Sequence, residues 1–401
     1  ASFVFGGLGI ALGVIAVIGI IVFLTKSSCP FVYVDNGNEY VFAGEIYSGA
    51  IFKSIERDDY LLLPTTKADE TLNLIIANKL KEQQYINQLR LLQVCHPTGT
   101  RIIPDRLGNV HHIQQPVSLI SATVHEHDIS PLLAGLDSAR FGFNVESGKD
   151  FFNDVVVTFP KPADVNEAHL VMNAKSSLWG DYVFGEFTRL FGRSYTSWIE
   201  KQNKKAPVEK TWASDQGLAM KVFVEKNGAW EFVDRIDLVG PLAFRDLVVP
   251  LDLSDQKSQT VRIKLSAGFM LWDVDYVGMD FSADTGMTIN YIQPEQALTN
   301  TGESALPSLL QADAHYLIQK TTGDEVKIAF PIESRERGGM QYDYILHSRG
   351  YYQHVRDYEG DPEITALLSF KLDGRFSRFS KEKYDEMSQL LKAAEISASI
   401  K

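Results

Sequence analysis

The residues best equipped for chemistry are histidines, paired aspartates, one tryptophan in a polar stretch and an arginine–tyrosine cluster near the C-terminus. His125-Glu126-His127-Asp128 carries imidazoles on alternate residues. On a strand, alternate residues share a face. His125 and His127 could therefore hold one metal ion, with His111 or His112 as a third ligand. A solvated polar edge is the competing reading, since no carboxylate or thiol follows at a metal-site spacing. Asp273-x-Asp275 offers two oxygens of the kind calcium accepts. Asp35, Asn36, Asn38 and Glu39 offer more, although turn chemistry already explains them. In Ser348-Arg349-Gly350-Tyr351-Tyr352, with His354 and Arg356 following, Arg349 and Arg356 could clamp a carboxylate or phosphate between tyrosine walls. Alternatively, Gly350 ends a strand and the tyrosines fill a core. Among the tryptophans, Trp212 in TWASDQG is best placed to touch a ligand, whereas Trp230 and Trp272 lie in strand-like runs and read as core.

No G-x-S-x-G, H-E-x-x-H, Walker loop or C-x-x-C occurs, and no cofactor is implied. A glycosidase-like carboxylate pair has no fixed sequence spacing, so an enzyme acting on carbohydrate stays open as a third reading. The formal net charge of -12 argues against a nucleic-acid partner, which calls for a basic stripe. Cys29 and Cys95 are too few for a disulfide framework. In an oxidising compartment they could pair; two separate buried thiols are the equal alternative.

The elements that must position these residues are mostly strands. PFVYVDNGNEYVF reads as a hairpin around Asp35-Asn36-Gly37-Asn38, and Asn227-Gly228 marks another between MKVFVEK and AWEFVDRI. Short apolar or alternating runs recur from 29 to about 140 and again from 141 to 283, the latter at a spacing typical of an antiparallel sandwich. One helical stretch, 179–205, places Phe184, Phe187, Phe191, Tyr195 and Trp198 on one face for packing against the sandwich. Region 284–401 adds strands and ends in the helix KEKYDEMSQLLKAAEI. The expected divisions are 1–28, 29–140, 141–283 and 284–401.

Residues 3–24 contain no charge or proline. At about 1.5 Å per residue they are long enough to cross a hydrocarbon core of about 30 Å. Gly6, Gly9, Gly13, Ala16 and Gly19 form a stripe of small residues, the pattern by which membrane helices approach one another. The expected fold is therefore mainly β: a single N-terminal transmembrane helix, β-sandwich domains and a C-terminal helix. The scarcity of Lys and Arg between 27 and 46 favours a periplasmic body on a bacterial inner membrane.

The stretch from LAMKVFVEKNGAWEFVDRI through FRDLVVPLDL and TVRIKLSAG to LWDVDYVGMDF resembles a galactose-binding-like jelly roll. That resemblance implies binding of glycans, lipids or proteins rather than catalysis. CPFVYVDNGNEYVF, LRLLQVCHPTGTRIIPD, LLQADAHYLIQ and ILHSRGYYQHVRD resemble segments of large extracytoplasmic β-proteins of bacteria, which implies no settled activity. The expected role is a non-enzymatic, membrane-anchored accessory or assembly subunit of a respiratory, photosynthetic or secretion complex. Its partner would be an integral membrane protein complex, met through the helix. The alternative is a membrane-tethered carbohydrate-binding protein with a glycan partner.

Overall fold

The computed structural model describes residues 29–64, 70–145, 151–207, 212–333 and 338–399. The apolar span and its stripe at Gly6, Gly9, Gly13, Ala16 and Gly19 lie outside these residues. Among the described residues, no helix is long and apolar enough to cross a membrane.

The chain opens with β1 (Phe31–Asp35), β2 (Tyr40–Glu45), β3 (Arg57–Leu62), β4 (Thr71–Ala77) and the long β5 (Glu82–Pro97). The β1–β2 turn forms as its residues dictate: Asp35 Oδ1 accepts from the Gly37 N–H, Asn36 Oδ1 accepts from the Asn38 N–H, and Gly37 takes φ +89°. A small hairpin follows, β6 (Arg101–Pro104) and β7 (Val110–Ile113). Next come β8 (Ser121–Val124), β9 (His127–Asp128), β10 (Asn153–Pro160) and β11 (Glu167–Ser176). Helices α1 (Leu178–Arg189), α2 (Tyr195–Asn203) and α3 (Trp212–Asp215) lead to β12 (Met220–Lys226), β13 (Ala229–Ile236), β14 (Arg245–Asp252), β15 (Thr260–Ala267) and β16 (Trp272–Asp280). The last part holds β17 (Thr288–Ile292), β18 (Gln296–Thr299), β19 (Leu317–Gln319), β20 (Glu325–Pro331), β21 (Met340–His354), α4 (Ile364–Ser369) and α5 (Arg375–Ser399).

Two sandwiches result. In the first, the sheet β18-β20-β4-β1-β2 faces the sheet β17-β5-β21-β3, with β19 also paired to β5. Val32, Leu74 and Phe330 from one sheet meet Ile86, Leu91 and Leu346 from the other in a shared core. The second sandwich sets β13-β12-β15-β10-β8-β9 over β14-β11-β16. Val157, Val222 and Ile263 there meet Leu170, Val249 and Val277. The alternation of buried and exposed residues along β10 is what a sheet with one face on a core requires.

Segments 29–97 and 288–354 thus share sheets, and the second sandwich is inserted between them. The divisions drawn from sequence part strands that pair: β8 lies within 29–140 yet bonds to β10, and β20 lies within 284–401 yet bonds to β4. Apolar periodicity marks a strand but does not name its partner. The expected single helix over 179–205 is likewise two helices. Gly192 between them takes φ +47°, and a Cβ there would sit 2.5 Å from the Gly360 carbonyl oxygen, so the chain turns at that residue. The aromatic face does pack as its spacing implies: Phe187, Phe191 and Tyr195 join the second core, and Phe184 and Trp198 touch both cores.

Candidate functional site

The seam between the sandwiches is built from paired charges. Arg245 on β14 donates from Nη1 to Asp59 Oδ1 on β3 at 2.8 Å and from Nη2 to the Glu45 carbonyl oxygen. The Asp59 Oδ2 accepts the Tyr47 N–H at 2.7 Å, and Arg57 donates to the Ser48 and Leu238 carbonyls at 3.1 and 2.8 Å. Burial works against ionisation of Asp59, but the charges of Arg245 and Arg57 outweigh it and hold its carboxyl below the usual range. A cleft of about 280 Å³ runs along this seam. Arg106 pairs with Asp234 at 2.7 Å and Arg235 with Asp237 at 3.2 Å on its walls. These charges serve one another, so the cleft reads as a joint between the sandwiches.

A histidine-rich network surrounds the β6–β7 hairpin. His96 Nε2 lies 3.0 Å from Asp343 Oδ2, and Thr100 Oγ1 lies 3.0 Å from His96 Nδ1 and 2.8 Å from His112 Nε2. The Thr100 hydroxyl donates to the Pro97 carbonyl at 2.7 Å, so its proton is engaged with the backbone. His111 Nδ1 lies 2.7 Å from Asp284 Oδ2, with its Nε2 3.4 Å from Asp105 Oδ2. His169 Nε2 is 3.3 Å from the same Asp284 oxygen. Burial opposes the charge on Asp105, yet hydrogen bonds from His111, Asn109 and Leu107 hold its pKa at about 2. Burial lowers the His169 pKa; on His111 it is outweighed by the hydrogen bonds its ring donates to the Asp105 and Asp284 carboxylates, which raise it.

A groove of about 620 Å³ lies where the helices meet the sandwiches. Phe184, Phe187, Phe191, Trp198, Trp212 and Phe370 are among its walls. Ile364 and Leu368, one turn apart on α4, are 57% and 53% exposed and line it as well. An exposed apolar strip continuous with a ring-lined groove is a feature that marks contact sites.

The residues singled out from sequence fare differently. His125 and His127 do not converge with His111 or His112. They sit exposed on the β8–β9 turn, where the Asp128 carboxylate accepts from Ser130. Among the described residues, the three donors that do converge are His111, His169 and Asp284. Asp273 pairs with Arg140 at 3.7 Å, and burial raises its pKa. Asp275 occupies the β11–β16 bulge, its Oδ1 buried with no hydrogen-bond partner among the described residues. Arg349 is engaged by Asp58 at 2.7 Å and Glu56 at 3.7 Å, and Arg356 donates to the Lys81 and Val355 carbonyls, so the two form no common clamp. Tyr351 and Tyr352 lie in the first core. Trp212 lines the groove, 39% exposed, with its indole N–H donated to the Phe370 carbonyl at 2.9 Å. Trp272 is core, but Trp230 lies half-buried on edge strand β13, with the Arg262 guanidinium 5.6 Å and the Lys264 ammonium 5.3 Å from its ring centroid. Cys29 and Cys95 remain thiols: Cys29 is 3.8 Å from the Tyr352 hydroxyl, and no disulfide joins the pair.

His169 and Asp284 escaped the sequence reading. His169 sits in the apolar run EAHLVM of β11, and a buried polar residue inside an apolar strand was the available signal.

No family model matches the chain, and no curated protein matches it. Among solved structures, the cycloalternan-forming enzyme of Listeria monocytogenes, in complex with a pentasaccharide substrate, is similar over 56% of this chain at 10% identity and a TM-score of 0.20. The chain spans only 20% of that enzyme's chain. A protein of Sulfolobus turreted icosahedral virus matches over 82% of this chain and 90% of its own at 9% identity, TM-score 0.16. A triple-jelly-roll turret protein of an archaeal virus covers 82% and 97% at 7% identity, TM-score 0.17. Likenesses this slight carry no argument about function.

Proposed function

We propose that this protein is a non-enzymatic accessory or assembly subunit of a membrane complex, held at a bacterial inner membrane by residues 3–24 with its β body in the periplasm. In this reading the ring-lined groove takes an apolar segment of a partner subunit. The observation that carries it is the groove itself: a volume of about 620 Å³ walled by aromatic rings and extended onto the surface by Ile364 and Leu368. Such walls reward burial of apolar surface, at about 25 cal/mol per Å², and offer few groups to bond sugar hydroxyls. The indole N–H of Trp212, a natural donor to a glycan, is already taken by Phe370. The charged seam supports the same role, since buried pairs such as Arg245–Asp59 tie the two sandwiches together. The resemblance of 218–281 to galactose-binding-like jelly rolls, a class of binding modules, is in keeping with a non-catalytic task.

The test is extraction of the full chain in mild detergent and identification of the chains that travel with it. Ile364→Asp with Leu368→Asp should release the partner while the melting temperature holds, and Gly9→Leu with Gly13→Leu should release the complex. A parent protein that elutes alone overturns the proposal. So does a partner retained by every variant. Binding to a polysaccharide panel that Trp212→Ala weakens would favour the tethered glycan-binding alternative instead.

A further inference from the structure

We propose that His111 Nδ1, His169 Nε2 and Asp284 Oδ2 form a three-ligand site for a divalent transition metal of the zinc type. The three donors come from β7, β11 and the loop after β16, and they all lie within 4.8 Å of one another. Both imidazoles aim at the same carboxylate oxygen, at 2.7 and 3.3 Å. With protons alone, that oxygen must accept from two rings, and His111, whose other nitrogen faces Asp105, must carry a proton on each side. With a divalent ion, the two ring lone pairs and the carboxylate share one centre instead.

The surroundings suit the second arrangement. His111 Nε2–H would donate to Asp105 Oδ2, at 3.4 Å, the carboxylate–histidine–metal relay that fixes a ligand's tautomer. Asp105 is itself held by the Leu107 and Asn109 N–H groups, at 2.8 and 2.9 Å, and by the Asn109 side chain. On Asp284, Oδ1 accepts the His112 N–H at 2.7 Å, which leaves Oδ2 as the ligand. Among the described residues His169 Nδ1 has no hydrogen-bond partner, so the ring proton placed there costs only the Nε2 contact to Asp284, which the shared ion replaces, and bares Nε2. Asp280 adds negative potential beside His169, its own oxygens engaged by the Gln114, Gln115 and Ser282 N–H groups.

Two imidazoles with one carboxylate select zinc and its neighbours over magnesium or calcium, which want all-oxygen shells. His111 and His169 are buried, while the Asp284 side chain is 33% exposed, so a fourth position faces solvent.

The experiment is calorimetric titration of the chelator-stripped full chain with zinc, with cobalt absorption as a second readout. The expected result is a single saturable equivalent, a cobalt spectrum of low-coordinate type and a higher melting temperature with zinc. Asp105→Asn should weaken binding roughly 10- to 100-fold, as loss of an outer partner does elsewhere. His169→Ala should abolish it, and Asp284→Asn, at a half-open position that keeps the His112 bond, does the same in a variant that should fold. His125→Ala with His127→Ala should leave binding unchanged. No saturable uptake overturns the site, as does uptake that survives Asp284→Asn or is lost with His125 and His127.

Discussion

Removing the Asp59 carboxylate should be the most damaging single truncation in the seam. Asp59 is 5% exposed and the Arg245 side chain 9%. Asp59→Ala deletes the 2.8 Å bond from Arg245 and the 2.7 Å bond from the Tyr47 N–H, and takes the carboxylate 3.6 Å from Arg57 with it. Breaking a buried pair from one side leaves an uncompensated charge, at a cost of about 3–5 kcal/mol. Two charge-assisted bonds at about 1.5–3 kcal/mol each reach the same range. In a chain of 401 residues, at about 2.1 cal/mol/K per residue, each kcal/mol moves the melting temperature by about 1–1.5 °C, so a fall of roughly 3–8 °C is expected. Scanning calorimetry measures it, and a double variant isolates the cause. Asp59→Leu with Arg245→Met should recover the part of the loss due to the unpaired Arg245 charge, because an apolar pair of similar size is close to neutral, while the Tyr47 N–H stays without its acceptor. If Asp59→Ala melts within about 2 °C of the parent, or the double variant is no better than the single, the seam does not bind the sandwiches in the way argued.

Acid should act on the same group. The folded pKa of Asp59 lies below its unfolded value, so its contribution is whole above about pH 4 and is lost as pH falls through the folded value. Melting should therefore decline more steeply as pH falls below about 4 in the parent than in the Asp59→Leu, Arg245→Met variant, and parallel declines would refute the assignment. Gly350→Ala should destabilise by about 1–3 kcal/mol, since a Cβ there meets the Tyr85 carbonyl oxygen at 2.3 Å and the Tyr47 ring at 2.9 Å; denaturant unfolding measures it. Thiol titration of the unfolded chain without reductant should find both Cys29 and Cys95 reactive; no reactive thiol would mean that they had paired.

How much was legible from sequence varied by feature. The β1–β2 and β12–β13 hairpins were, because turn residues act locally: Asn227 and Gly228 take φ +52° and +80°, as a two-residue hairpin turn demands. Trp272 in the core and the ring stripe of α1 and α2 followed from periodicity. Trp230 did not, because an edge strand has an outer face on which a half-buried ring can sit beneath cationic groups. The arginines of the S-R-G-Y-Y segment promised a clamp, but strand pairing set Arg349 beside Asp58 on β3, a residue far away in sequence. His125 and His127 shared a short motif, and a turn carried them into solvent.

By itself the sequence determined the element types, the turns and the acidic, mainly β character of the chain, all of which rest on interactions spanning a few residues. Only the tertiary structure decided that 29–97 and 288–354 close one sandwich around another, since partner choice among many similar strands depends on burial across both sheets. The same long-range pairing set His111, His169 and Asp284 around one point, an arrangement that no spacing along the chain encodes.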